Sequence, residues 1–297
     1  MLRCWMFENQ SCAILDHLPR SRLAEGPYWD AETHRMIWVD IVGHVIHRYD
    51  PRTAQGTTCP VSDVVGFAVL ATDGRLVAGI GGGIYDLAFD EPTETLLTQP
   101  GMHGANRFND AKCDPRGRLW AGTMHRDATR DREATGALYR WHHGQLEEVE
   151  PHISLANGLG WSSSGDTMYF SDTHQGTVWA YDYDLVTGSA SNRRAFIVVP
   201  IEVGVPDGLC VDGAGRVYVA IWRGSCIRVY APSGDIEGII KVPVRNPTSC
   251  CFGGADLKTL FVTTMPSSNE NDPRSGSLFA VTMDTPGQPS ERMNRSL

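Results

Sequence analysis

Residues 107–124, RFNDAKCDPRGRLWAGTM, best indicate the fold of this chain. The letters DPRG at their centre are typical of a tight turn, and alternating apolar residues follow, so we predict a β-hairpin. In an antiparallel hairpin the start of the first strand and the end of the second lie at the same edge. We therefore expect Arg107 and Asn109 beside His125 and Asp127. Grouping these four polar side chains costs free energy unless they bind something polar, so this edge is a candidate binding site.

The pattern of this hairpin recurs along the chain. Each copy has a short apolar segment, a turn with Asp or Gly, and an alternating segment of aromatic and β-branched residues. Equivalent positions in the six copies are Glu25, Gly66, Asn109, Asn157, Asp207 and Thr248. Successive positions differ by 41, 43, 48, 50 and 41 residues. A period of about 45 residues accommodates four short strands and is typical of a β-propeller blade.

We predict an all-β fold in which residues 1–297 form a single six-bladed β-propeller domain, with four antiparallel strands in each blade. After Met283 the remaining segment is too short to supply the outer strand of the last blade. The strand-like segment SCAILDHL, residues 11–18, belongs to no other blade, so we predict that this N-terminal strand closes the last blade. The polar segments 126–135 and 266–275 are predicted to be exposed loops.

The composition excludes several classes of partner. The 297 residues include 26 Lys and Arg against 35 Asp and Glu, a net charge of −9, and no basic run, so we expect no nucleic-acid partner. An anionic surface disfavours acidic membranes, and no apolar run reaches the roughly 18 residues of a membrane span. The N-terminal segment MLRCWMFENQ lacks the features of a signal peptide, so we expect a cytoplasmic protein. The eight cysteines fit that compartment as reduced thiols.

The equivalent positions of the repeat predict a ring of oxygen atoms. If each repeat begins with the innermost strand of its blade, these residues surround one mouth of the central channel. Four of them carry oxygen donors, namely Glu25, Asn109, Asn157 and Asp207. Two carboxylates and two amides on one axis are oxygen ligands of the kind that a hard divalent cation takes. A single such residue is explained as well by turn capping, whereas four at one repeat position favour a cation site.

The other acidic residues of the repeat have a structural interpretation. Five aspartates occur in the hairpin turns at the opposite mouth, where Asx residues stabilise turns: Asp30, Asp73, Asp114, Asp212 and Asp256. Asp40 and Asp172 end second strands, so we expect them at the mouth of the cation site but farther from the axis. We predict that these two support the site rather than bind the metal.

Five segments, in order AEGPYW, RFNDAKCDPRGRLWAGTM, ANGLGWS, VPDGLCVD and SCCFGGADLKTLFVTT, span most of the chain. Together they resemble the SMP-30/gluconolactonase/regucalcin family of six-bladed propellers, and most closely its bacterial sugar-lactone hydrolases such as xylonolactonase. The resemblance implies one divalent metal ion, held by Glu25, Asn157 and Asp207. Ligands of this type do not distinguish Ca²⁺, Zn²⁺, Mn²⁺, Mg²⁺ and Fe²⁺.

The resemblance also implies how a substrate is bound. Asn109 would contact substrate or a metal-bound water, and Arg107 would hydrogen-bond sugar hydroxyls or the lactone ring. Some family members carry a glutamate after the segment GTM, where this chain has Asp127 in the sequence HRD. Asp127 and His125 are therefore alternative substrate contacts at this edge.

The implied function is hydrolysis of a small-molecule sugar lactone to the open sugar acid. The metal would polarise the lactone carbonyl and activate the attacking water, and Asp207 is the candidate general base. Two other functions remain open, a non-catalytic metal-binding regulator on the same scaffold and a hydrolase of another ester or an organophosphate. The sequence leaves the sugar, the size of the lactone ring and the oligomeric state open.

Overall fold

The computed structural model of the chain describes residues 10–91, 93–101, 104–127, 133–267 and 271–297. In these residues the chain forms twenty-four β-strands and no α-helix. The strands form six antiparallel sheets of four strands each, arranged as the blades of a propeller. The predicted six-bladed β-propeller is therefore confirmed. No helix in the described ranges is long and apolar enough to cross a membrane.

Each blade runs from an inner strand at the channel to an outer strand at the surface. Blade one contains β2 (Ala24–Asp30), β3 (Arg35–Asp40), β4 (Val45–Asp50) and β5 (Gln55–Pro60). Blade two contains β6 (Val65–Leu70), β7 (Leu76–Ile80), β8 (Gly83–Leu87) and β9 (Thr95–Thr98). Blade three contains β10 (Asn106–Cys113), β11 (Leu119–His125), β12 (Gly136–His142) and β13 (Gln145–Ile153).

The remaining blades follow the same plan. Blade four contains β14 (Ala156–Trp161), β15 (Thr167–Asp172), β16 (Thr177–Asp184) and β17 (Ser189–Val198). Blade five contains β18 (Val205–Val211), β19 (Val217–Trp222), β20 (Cys226–Tyr230) and β21 (Ile236–Lys241). Blade six contains β22 (Asn246–Gly253), β23 (Thr259–Met265), β24 (Phe279–Thr282) and β1 (Cys12–Ile14).

The sixth blade takes its outer strand from the other end of the chain. β1 pairs antiparallel with β24, with Ala13 opposite Ala280. Inner strands of neighbouring blades contact each other around the ring, and β22 contacts β2 where the ring closes. The predicted closure by the N-terminal strand is confirmed.

Every inner strand is irregular at the same place. The register shifts lie between Glu25 and Tyr28, Val65 and Phe67, Phe108 and Ala111, Ala156 and Leu159, Pro206 and Leu209, and Pro247 and Ser249. These bulges coincide with the six equivalent positions of the sequence repeat. A β-bulge bends its strand and re-aims the side chains within it, so the bulges orient the ring residues.

The inner strands of adjacent blades approach each other closely. Phe67 of blade two and Phe108 of blade three pack edge to face, with their ring centroids 5.9 Å apart. A Cβ atom on Gly66 would lie 2.5 Å from the Phe108 carbonyl oxygen, and one on Gly158 would lie 2.5 Å from the Leu209 nitrogen. These contacts are too short for any side chain, so glycine is required where the blades converge on the channel.

The hairpin turns lie at the mouth opposite the ring residues. In each of five turns an aspartate carboxylate accepts a hydrogen bond from the backbone N–H two residues later: Asp30 from Glu32, Asp73 from Arg75, Asp114 from Arg116, Asp212 from Ala214 and Asp256 from Lys258. The predicted turn role of these aspartates is confirmed. Of the two predicted loops, residues 128–132 and 268–270 lie outside the described residues.

Residues 286–297 cross this same mouth as an extended strap, which the sequence analysis did not foresee. The strap is hydrogen-bonded to the backbone of blades five, two and three in turn: Gly213 N to Pro286 O at 2.9 Å, Met293 N to Leu70 O at 2.7 Å, and Asn294 N to Gly117 O at 2.8 Å. Arg292 of the strap also donates to Asp30 of blade one, at 2.7 Å. The C-terminal strap therefore covers the turn mouth and links several blades.

Candidate active site

The bulges bring oxygen-bearing side chains of several blades to the channel. Glu25, Asn109, Asn157 and Asp207 are all buried, with at most 6% of each residue exposed. The carboxyls of Glu25 and Asp207 lie close enough for their charges to interact although they belong to blades one and five. Since carboxylates this close repel each other when both are charged, the pair requires a shared proton or a cation.

Two oxygen atoms of this group have no protein partner within the described residues. The Asn157 amide nitrogen donates to Thr173 Oγ1 at 3.0 Å, which leaves its carbonyl oxygen to face away from that contact. This Asn157 Oδ1 and the Asp207 Oδ1 are both buried and accept no hydrogen bond. A buried acceptor without a partner costs about 1–3 kcal/mol. A divalent cation coordinated by oxygen would remove that cost, so these residues fit such an ion.

The electrostatics of the two carboxyls agree with this geometry. Burial raises the pKa of Glu25 well above its usual range, and the nearby charges of Asp207 and Asp110 raise it further. Burial also raises the pKa of Asp207 well above its usual range, with the charge of Asp110 as the next cause. A bound cation would reverse both effects, because it stabilises the charged form of each carboxyl.

Asp110 is a site residue that the sequence analysis missed. It follows Asn109 in the bulge of blade three, is buried, and accepts a hydrogen bond from the Ala111 N–H at 2.8 Å. Burial raises its pKa, while the charge of Lys112 lowers it. The repeat held a signal for it. The bulges of blades one, four and five contain glycine directly after the ring residue, whereas blade three has an aspartate there.

Arg107 is held beside the ring by Asn109. Its Nη1 donates to Asn109 Oδ1 at 2.8 Å and to the Phe108 carbonyl at 2.9 Å. The Asn109 amide nitrogen in turn donates to the Ala156 carbonyl of blade four at 2.9 Å. Burial lowers the pKa of Arg107 to about 10, and the charge of Arg126 contributes, so Arg107 stays protonated at neutral pH. Asn109 therefore orients Arg107. Both the oxygen and the nitrogen of the Asn109 amide have protein partners.

The predicted neighbours His125 and Asp127 lie at the same edge of blade three as Arg107. Asn106 pairs with His125 and Arg107 pairs with Met124 in the ladder of β10 and β11. His125 is buried, and its Nδ1 accepts a hydrogen bond from the Asp127 N–H at 3.0 Å. Asp127 itself is exposed. The structure therefore brings His125 to the buried part of the mouth and leaves Asp127 at its rim.

Asp40 and Asp172 support the mouth, as predicted. Asp40 accepts hydrogen bonds from the N–H groups of Leu23 and Gly43, at 3.0 and 2.9 Å, and so fixes the start of β2. Asp172 accepts from Gln175 at 2.8 Å, in the turn that also contains Thr173. Neither carboxylate belongs to the axial group.

The axial group has a mixed donor set. Within the described residues, no three His, Cys, Asp or Glu side chains converge as a metal cluster. Three oxygen ligands are reached only when the amide of Asn157 is counted with Glu25 and Asp207. This set combines one neutral amide oxygen with two anionic carboxylates and contains no soft ligand. It therefore suits a hard cation better than a metal that prefers thiolates.

Comparisons with known proteins identify relatives along nearly the whole chain. A family model described as "SMP-30/Gluconolactonase/LRE-like region" matches residues 23–266. The relative named pentonolactonase XacC, from Haloferax volcanii, is 35% identical over 285 residues, covering 91% of this chain and 94% of the relative. Regucalcin from Xenopus laevis is 33% identical over 277 residues, covering 88% of this chain and 91% of the relative.

A solved structure also matches the fold closely. The structure of a luciferin-regenerating enzyme superposes with a TM-score of 0.90 at 30% identity, covering 96% of this chain and all of the other. The residues matched by the family model include the inner strands of all six blades and all the axial residues.

Proposed function

Because the chain belongs to the SMP-30/Gluconolactonase/LRE-like family and is a lactonase, we propose that it hydrolyses sugar lactones to sugar acids in a metal-dependent reaction. The observation that supports the proposal is that Glu25, Asn157 and Asp207 are buried and that one oxygen each of Asn157 and Asp207 accepts no hydrogen bond from the described residues. Arg107 beside this group adds a hydrogen-bond donor for sugar oxygens. A pentonolactonase among the relatives supports aldonolactones as the substrate class.

The metal would be held by the carboxylates of Glu25 and Asp207 and by Asn157 Oδ1. When bound, a divalent cation supplies a Lewis acid for the carbonyl and lowers the pKa of a water molecule. Thr173 keeps the oxygen of Asn157 turned to this position, since it binds the amide nitrogen. The oxygen-rich set is compatible with several hard or borderline cations, and metal analysis of the purified protein identifies which one is bound.

Asp207 is the proposed general base. It accepts a proton from the attacking water as the water oxygen bonds to the lactone carbonyl carbon. The ring C–O bond then breaks, and the proton passes to the departing ring oxygen. The products are a free hydroxyl and a carboxylic acid on the same open chain, so the atoms of lactone and water are all accounted for.

Arg107 and Asn109 are the proposed residues that position the sugar. The Arg107 guanidinium is fixed by its bond to Asn109 Oδ1 and has further N–H groups to donate to sugar hydroxyls or to the ring oxygen. His125, buried at the same edge, is favoured over the exposed Asp127 as the next contact. We also propose a cytoplasmic location, because the seven cysteines within the described residues are free thiols, as expected in a reducing compartment.

A lactone panel with metal reconstitution tests the proposal. The metal-free protein is supplied with Ca²⁺, Zn²⁺, Mn²⁺, Mg²⁺ or Fe²⁺, and acid release from five- and six-membered aldonolactones is followed with a pH indicator. We expect turnover with at least one metal, and loss of both metal binding and turnover in Glu25→Gln and Asp207→Asn. Metal binding without acid release from any lactone would overturn the proposal and favour a non-catalytic regulator. Activity confined to other esters or organophosphates would also overturn it.

A further inference from the structure

We propose that Asn246 is a second substrate-binding residue, which accepts a hydrogen bond from a sugar hydroxyl on the side of the mouth opposite Arg107. The inference rests on the proposed function and specifies its substrate class: a lactone with a hydroxyl at that side. Asn246 begins β22, the inner strand of blade six.

The position of Asn246 in blade six is the position of Arg107 in blade three. Each residue precedes its ring residue by two positions, Thr248 in blade six and Asn109 in blade three. The strand pairing agrees with this equivalence. Asn246 pairs with Met265 and Arg107 pairs with Met124, and each methionine is the last or the next-to-last residue of the second strand of its blade. In a ring of six blades, blades three and six are directly opposite. The two side chains therefore lie on opposite sides of the channel mouth.

The ring residues beneath them repeat the same contact. Asn109 Nδ2 donates to the Ala156 carbonyl of blade four at 2.9 Å, and Thr248 Oγ1 donates to the Ala24 carbonyl of blade one at 2.6 Å. Both acceptors are the residue just before the next ring position. This shared bond shows that blades three and six hold their inner strands in the same way, which supports the structural equivalence of Arg107 and Asn246.

The other four blades carry apolar residues at this position: Leu23, Val64, Leu155 and Val205. At this level of the ring, four blades thus carry an apolar residue and two opposite blades carry a polar one. Binding sites for small molecules typically combine apolar lining with a few placed polar groups. Arg107 and Asn246 would be those groups at this level of the channel.

Asn246 has an acceptor that the protein does not use. The residue is only 4% exposed, and its Oδ1 is buried without a hydrogen-bond partner in the described part of the chain. Among the axial residues, Asn157 and Asp207 share this property. A buried, unpaired acceptor is unfavourable in a purely structural role, because its desolvation is not offset. A ligand that donates to it offsets this cost.

The two polar groups have complementary chemistry. A guanidinium only donates hydrogen bonds, whereas the Asn246 carbonyl oxygen only accepts them. A sugar hydroxyl can do both, so a polyhydroxylated lactone can accept from Arg107 at one side and donate to Asn246 at the other. A deoxy lactone lacks the donor for Asn246 and would leave it unpaired. The pair therefore selects for a hydroxyl at a defined place on the lactone.

The test compares each aldonolactone with its deoxy analogues in the wild type and in Asn246→Leu. We expect one hydroxyl to raise kcat/KM of the wild type roughly tenfold or more over its deoxy partner, and this ratio to fall to near one in Asn246→Leu. A general folding defect lowers kcat/KM for both substrates by the same factor and leaves their ratio unchanged. The ratio therefore reports the contact itself. Asn192→Gly, at an exposed asparagine of β17, is the matched control and should keep the wild-type ratio.

An unchanged ratio in Asn246→Leu, with metal binding intact, would overturn the inference while the proposed function stands. If the wild type hydrolyses no lactone, the same comparison is made by calorimetry with sugar lactams, which keep the ring hydroxyls but resist hydrolysis. Tighter binding of the hydroxylated lactam that is lost in Asn246→Leu would then support the inference although the proposed function fails. If the wild type does not bind the hydroxylated lactam, or if the wild type and Asn246→Leu bind it with equal affinity, the inference is overturned.

Discussion

Asn109 and Asn157 show that identical residues at equivalent repeat positions can have different tasks. The amide nitrogen of Asn157 is bound by Thr173, so its oxygen is unpaired, whereas Asn109 uses its oxygen for Arg107 and its nitrogen for blade four. The repeat predicted both positions on the ring. It could not predict their orientation, because the partner of each amide nitrogen comes from a turn or from a neighbouring blade.

Thr173 should therefore affect metal affinity although it does not bind the metal. In Thr173→Val the Asn157 amide loses the contact that orients it, and we expect the metal dissociation constant to rise about 10–100-fold, as is usual for partners of metal ligands. Metal titration of the chelator-treated protein measures the effect. Thr177→Val is the matched control, because the Thr177 hydroxyl donates to the Gln175 carbonyl within its own turn. Equal affinities in wild type and Thr173→Val would show that Asn157 is oriented by other contacts.

At the scale of the strand, hairpins and bulges contribute differently to the site. The hairpins bring residues to one edge of a blade, and the bulges orient the ring residues. The hairpin around residues 107–124 was predictable from its turn and its alternation, and so was the closure of blade six by β1. The bulge that contains Asn109 and Asp110 was not predicted, because the extra residue is identified only from the register against the partner strand. This is why the sequence placed Asn109 correctly but did not identify Asp110.

The closing strand β1 should contribute measurably to stability. The Leu15 N–H donates to the Leu278 carbonyl, and in an antiparallel ladder the alternate residue Ala13, opposite Ala280, is also a hydrogen-bonded position. Ala13→Pro removes that donor and should lower the free energy of unfolding by about 1–3 kcal/mol, read from urea unfolding.

A second proline nearby provides the control for β1. Asp16 is exposed and follows Leu15 in a turn closed by the Leu18 N–H and the Leu15 carbonyl at 3.1 Å. Proline is favoured at this position of a turn, so Asp16→Pro should leave the unfolding curve nearly unchanged. If both variants matched the wild type, the pairing of β1 with β24 would contribute little to closure of the ring.

At the scale of the molecule, the two mouths of the channel carry different structural features. One mouth holds the axial carboxylates and the residues proposed to bind sugar, and the other is covered by the C-terminal strap. The spacing of the repeats predicted the ring, because each blade must bury its faces against two neighbours. It could not predict the strap, because residues 286–297 have no apolar periodicity and the backbone hydrogen bonds that help to hold them leave no mark in the sequence.

Met293 should be the residue that fastens the strap most strongly. Its side chain is fully buried in a core cluster to which blades one, two and three contribute, its N–H donates to the Leu70 carbonyl, and its carbonyl accepts from the Thr72 N–H. Met293→Ala keeps the backbone bonds but leaves a cavity, so we expect the free energy of unfolding to fall by about 2–5 kcal/mol. Ser296→Ala, at an exposed position of the same strap, should change it by no more than about 0.5 kcal/mol. Metal affinity should stay at the wild-type value in both, because the strap and the axial group are at opposite mouths. A Met293→Ala protein that unfolds like the wild type, or that loses metal with normal stability, would contradict this division of the two mouths.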